Sequence, residues 1–74
     1  MDIRKISVGP DYKSGAMHYI QGQSVLNNSH EIHLITQEAD GTIKIYLEND
    51  EAEVLLWKSF TASMPVSIEY NIYF

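Results

Sequence analysis

The chain has no cysteine, so neither a disulfide framework nor a cysteine-ligated zinc can brace it, and thiol chemistry is excluded. For 74 residues that is a strict condition, because a domain this small buries only about 60% of the surface its unfolded chain exposes. Stability must come from packing or from self-association, and we expect residues 1–74 to form one domain. Basic residues are scarce as well: five Lys and Arg stand against ten Asp and Glu, a formal charge of −5. An acidic chain repels phosphate backbones at long range, which argues against nonspecific duplex nucleic acid as a partner. No apolar run is long enough to span a bilayer, and Met1 leads directly into charged Asp2, Arg4 and Lys5. The expectation is therefore no signal peptide, no membrane partner and a cytoplasmic location, which makes the Asn27-Asn28-Ser29 sequon a coincidence.

What is present is an ordinary share of hydrophobic residues, 45%, and five tyrosines, enough to exclude wholesale disorder. The acids are unevenly placed: residues 1–20 hold three bases and two acids, residues 21–74 two bases and eight acids. Any anion should be met by the N-terminal third.

Apolar positions recur with period 2, the signature of half-buried strands. Val66, Ile68, Tyr70, Ile72 and Phe74 alternate with Ser67, Glu69, Asn71 and Tyr73, and Ile43, Ile45 and Leu47 alternate with Lys44, Tyr46 and Glu48. Glu31–Gln37, Thr42–Glu48 and Glu53–Phe60 read as a β-meander joined by Glu38–Gly41 and Asn49–Ala52, both good turn compositions. Arg4–Val8 reads as a short strand ended by Gly9-Pro10, and Ala16–Leu26 as a longer one bent at Gly22. Asp50–Phe60 is the segment most open to a helical reading. The fold class expected is all-β, a small antiparallel barrel or sandwich of five to six strands with a C-terminal meander.

A regular meander would pair Ile35 with Lys44, His33 with Tyr46, Tyr46 with Leu55 and Lys44 with Trp57. One face then collects Ile32, Leu34, Ile43, Ile45, Leu47, Val54 and Leu56 as core. The other carries Ile35, Tyr46, Leu55 and Trp57 beside His33 and Lys44, too apolar for plain exposure. Either the N-terminal strands cover it or it is an interface, where Trp and Tyr are enriched. Lys44 opposite Trp57 invites a cation–π contact. With the aromatic ending Tyr73-Phe74, these residues make a homodimer the expected assembly, with Ile35, Tyr46, Leu55, Trp57 and Phe74 as interface candidates.

Candidate chemistry is sparse. In His30-Glu31-Ile32-His33 the histidines sit three apart and point to opposite faces of a strand, so no metal is expected. The acids Glu48, Asp50, Glu51 and Glu53 lack the ligand and glycine spacing of a calcium loop. No nucleophile elbow, P-loop or dinucleotide fingerprint occurs, so no catalytic residue and no cofactor is expected. Ser7–Tyr19 is the most suggestive segment: Lys13 and His18 could meet a phosphate, Ser14 could hydrogen-bond it, and Tyr12 or Tyr19 could stack on a base. The competing reading is an ordinary β-connection with Tyr19 packed inward.

Lys5-Ile6-Ser7-Val8-Gly9-Pro10-Asp11-Tyr12-Lys13, Met17-His18-Tyr19-Ile20 with Gly22-Gln23, Leu56-Trp57-Lys58 and Met64–Tyr70 resemble short, uncharacterised accessory proteins of tailed bacteriophages of the T-even kind. That resemblance spans most of the chain and implies a protein made in a bacterial host, in a class that takes over host functions or counters antiviral defence by binding. It carries no catalytic residues. The resulting expectation is a non-enzymatic inhibitor that contacts a host or defence protein. A sponge for a nucleotide-derived immune signal and a minor virion component are the alternatives.

Overall fold

A computed structural model describes residues 3–11 and 15–71. Over these the protein is all-β, in seven strands: β1 (Ile3–Asp11), β2 (Gly15–Ile20), β3 (Ser24–Val25), β4 (His30–Gln37), β5 (Ile43–Asn49), β6 (Val54–Phe60) and β7 (Val66–Tyr70). They form two antiparallel sheets, one of order β2-β1-β7 and one of order β3-β4-β5-β6. The β4-β5-β6 meander is as expected, and Asp50–Phe60 contains a strand rather than a helix.

Two expected boundaries move. Gly22, at φ +91°, sits in a tight turn closed by Gln23 N donating to Ile20 O, so the long second strand is in fact β2 and the two-residue β3. β1 does not stop at Val8 but continues to Asp11 with an irregular register, and Gly9, at φ +104°, donates its N–H to Pro65 O.

The register of the meander also departs from the regular pairing, because extra residues interrupt the ladders. His33 has no partner between the pairs Ile32–Leu47 and Leu34–Tyr46, and Trp57 has none between Leu56–Tyr46 and Lys58–Ile45. Arg4 is likewise extra between Ile3–Tyr70 and Lys5–Glu69. Each bulge reverses the alternation beyond it. Ile3 with Ile6, and Ile32 with Ile35, are three apart and would face opposite ways on regular strands, yet all four are buried.

The core joins both sheets: Ile3, Ile6, Val8 and Tyr19 from the first, Ile32, Ile35, Ile43, Ile45 and Leu47 from the second, flanked by Val25, Trp57, Phe60, Val66 and Ile68. Expected core residues Leu34, Val54 and Leu56 are instead exposed, because the bulge at His33 turns Leu34 outward and β6 pairs one residue away from the regular register. Beyond β2, backbone bonds tie the sheets together: Gln21 N donates to Arg4 O, Gly22 N to Ile32 O and Ile32 N to Gln23 O. Side chains add Gln21 Nε2 donating to His33 O at 3.2 Å and Asn71 Nδ2 donating to Gln21 Oε1 at 3.2 Å.

Candidate functional site: the outer face of the meander

The bulges set which side chains reach solvent. With Ile43, Ile45 and Leu47 inward, the opposite face of β5 presents Lys44, Tyr46 and Glu48. Their cross-strand partners are Thr36 and Ser59 for Lys44, Leu34 and Leu56 for Tyr46, and Glu31 and Val54 for Glu48. Leu34, Tyr46 and Leu56 thus form an apolar row across three strands, side chains roughly 5 Å apart. Val54 extends it, and Leu34, Val54 and Leu56 are exposed.

Charges frame the row. Lys44 Nζ lies 2.6 Å from Glu38 Oε1, and this hydrogen-bonded carboxylate holds the lysine above its ordinary pKa. On the other side His33 Nδ1 lies 3.3 Å from Glu48 Oε2. Of the expected interface residues, Tyr46 stands on this face. Ile35 does not: it is 2% exposed in the core, where the bulge at His33 directs it. Leu55 pairs with Leu47 and so lies on the core-facing side, exposed because β6 is an edge strand. Trp57 is half-buried, its ring edge-on to Tyr19 at 5.8 Å. The cation over Trp57 is Lys58 Nζ, 4.8 Å from the ring centroid, rather than Lys44, which the observed register sets beside Ser59. Phe74 lies outside the described residues.

The expected ligand segment is divided. Tyr12, Lys13 and Ser14 lie outside the described residues. Tyr19 is buried, packed on Trp57 and on Phe60 at 5.8 Å, whereas its neighbour His18 is exposed on the opposite face. One ligand cannot meet both across the sheet. His18 instead shares a 2.7 Å hydrogen bond between its Nδ1 and Ser7 Oγ, with Ser67 the next residue across from Ser7. Lys5 flanks this polar row, and Arg4 Nη1 bonds Glu69 Oε1 at 2.8 Å. Sequence reasoning missed the Ser7–His18 pairing because it depends on the β1–β2 register.

Two clefts among the described residues are small. One of about 140 Å³ is lined by Ser24, Asn28–Glu31 and Glu48–Asp50, and one of about 160 Å³ by Gln37, Gly41, Ile43, Thr61, Ala62, Met64, Val66 and Ile68. Both fall below the ~300 Å³ at which small-molecule pockets begin. His30 Nδ1 is engaged at 2.7 Å by Ser29 Oγ, and among the described residues no group of three or more His, Asp or Glu is arranged to hold a metal ion. None of the described residues forms a helix long and apolar enough to cross a membrane.

No family model, curated protein or solved structure matches the chain. The geometry defines an all-β protein of two antiparallel sheets with a charged-rimmed apolar row on one outer face.

Proposed function

We propose that this chain is a non-enzymatic accessory binding protein that inhibits a host or antiviral-defence factor by protein contacts in the bacterial cytoplasm. The observation that carries the reading is the outward-facing Leu34–Tyr46–Leu56 row with Val54, a half-buried tyrosine between exposed aliphatic side chains. A tyrosine centred among aliphatic side chains and rimmed by Lys44, Glu38, His33 and Glu48 has the composition of an interface hot spot, an apolar centre inside a polar rim. The resemblance to phage accessory proteins favours the same class. In further support, no charged side chain is buried among the described residues, whereas catalytic acids and bases commonly owe their altered pKa values to burial and close neighbours. We read the two sheets as parts of an incompletely closed barrel whose rigid wall presents the row.

A second reading rests on the Ser7–His18 pair. With Lys5 from the least acidic part of the chain, and Ser67 beside it on β7, it offers hydroxyl, imidazole and ammonium groups fit for a phosphate of a nucleotide-derived signal.

Native mass spectrometry of protein purified from a bacterial host expressing the defence system separates them. The first reading expects a stoichiometric host protein on wild type that is lost from Leu34→Ser/Tyr46→Ser and retained on His18→Ala. A nucleotide mass lost with Lys5→Ala/His18→Ala favours the second. Bare protein from every preparation overturns both.

A further inference from the structure

We propose that the free edge of β6 is where a second copy of this chain adds, β6 pairing antiparallel with β6 across a two-fold axis. β6 is bonded to β5 on one side and, among the described residues, to no strand on the other. Its outward row of N–H and C=O groups is therefore a template for another strand. Protein edges are normally blunted by short strands, proline, inward-pointing charge or bulges. β6 spans seven residues without a proline, and its bulge at Trp57 leaves Val54–Leu56 in regular register with β5. Its one charge, Lys58, sits over the Trp57 ring.

The regular stretch is apolar on both faces at once. Val54 and Leu56, 52% and 50% exposed, lie outward, and Leu55, 42% exposed, lies on the core-facing side. A peptide docking on one face would leave the other wet, whereas a strand added in the plane of the sheet covers both. Val54 and Leu56 also end the row that starts at Leu34, so the pairing joins the rows of two copies into one stripe across six strands.

Charge selects the occupant and the direction. The approach to β6 carries Asp50, Glu51 and Glu53, and its second half carries Lys58. Antiparallel self-pairing lays the acidic start of each strand along the lysine half of its mate, and two-fold symmetry makes that contact twice. Parallel pairing would set acids against acids. The contact uses Val54–Leu56, Glu53 and Lys58; it shares Val54 and Leu56 with the docking row but not Leu34 or Tyr46, so substitutions at Leu55 and at Tyr46 separate the two readings.

Light scattering coupled to size exclusion, from micromolar to near-millimolar protein, tests it together with hydrogen exchange. Wild type is expected to dimerise, with β6 amides becoming more protected as concentration rises. Leu55→Lys, at an exposed position, should weaken the dimer roughly tenfold or more, about 1.4 kcal/mol, with an unchanged circular dichroism spectrum. Glu53→Lys and Lys58→Glu should each weaken it, and the double reversal should restore it. A monomer throughout the series overturns the inference. So does a dimer indifferent to Leu55→Lys and to both charge reversals, or one broken by Tyr46→Ser alone.

Discussion

Replacing Ile35 and Leu34 in turn by alanine tests the bulge at His33, on which both the core and the docking face depend. Regular alternation makes Leu34 core and Ile35 surface, whereas in the structure Ile35 is 2% exposed and Leu34 37%. Ile35→Ala removes three buried carbons at about 0.8 kcal/mol each, and the cavity left behind adds to that transfer loss. The sum is about 3 kcal/mol, a large share of the ~4–11 kcal/mol expected of a chain this size. Leu34→Ala gives up part of an already exposed side chain and should cost under about 1 kcal/mol. In urea, with a slope near 1 kcal/mol/M for so small a protein, Ile35→Ala should lower the midpoint by about 3 M and Leu34→Ala by less than about 1 M. Should Ile35→Ala fail to fold, Ile35→Val, costing about 0.5–1.5 kcal/mol, keeps the comparison measurable. Equal costs, or Leu34 costing more, would refute the bulge and with it the Leu34–Tyr46–Leu56 row.

Other predictions concern the turns and one ion pair. Ala52 holds φ +62° at the end of the β5–β6 turn, a conformation that costs a residue with a Cβ roughly 1–2 kcal/mol, so Ala52→Gly should stabilise by about 1 kcal/mol and raise Tm by about 4–8 °C. Gly41→Ala should do the reverse by at least about 1 kcal/mol, because φ is +91° there and an added Cβ would lie 2.9 Å from Ala62 Cβ. A lysine pKa raised in the folded state stabilises fully below its unfolded value of 10.5 and loses that contribution as pH rises through the folded value, so unfolding above pH 10.5 should be less steep in Glu38→Gln than in wild type. A matching acid-side effect belongs to Asp40, whose carboxylate accepts the Thr42 N–H at 2.9 Å and is held below its ordinary pKa. Its contribution is present above pH 3.8 and fades as pH falls through the lowered value, and Asp40→Asn should remove it from an acid titration followed by circular dichroism.

Much of the fold was legible because period 2 and turn chemistry are local. Ile43, Ile45 and Leu47 face the core as their spacing implies, and the Glu38–Gly41 turn closes as its composition implies, Gly41 N donating to Glu38 O. What was not legible is where a ladder skips a residue. Nothing in the identities of Arg4, His33 or Trp57 marks a bulge, yet each reverses every side chain beyond it. The readable trace was spacing: isoleucines three apart at Ile3 and Ile6, and again at Ile32 and Ile35, fit one core only if a residue between them is extra.

The same displacement explains why the expected interface came apart while its centre survived. The bulges at His33 and Trp57 fall on either side of Tyr46, one on each neighbour of β5. On each neighbour the face reverses at its bulge, while on β5 itself the alternation runs unbroken. Tyr46 therefore keeps its outward position under either register, whereas Ile35 and Leu34 exchange roles, and Leu55 and Leu56 do likewise. A bulge also adds local twist and bend, so two of them at the level of Tyr46 curl the sheet around the residue that centres the row. Sequence variation that moves a bulge from His33 to Leu34, or from Trp57 to Leu56, would leave Tyr46 facing outward but replace its neighbour on that side, changing the partner surface without changing the core strand beneath it.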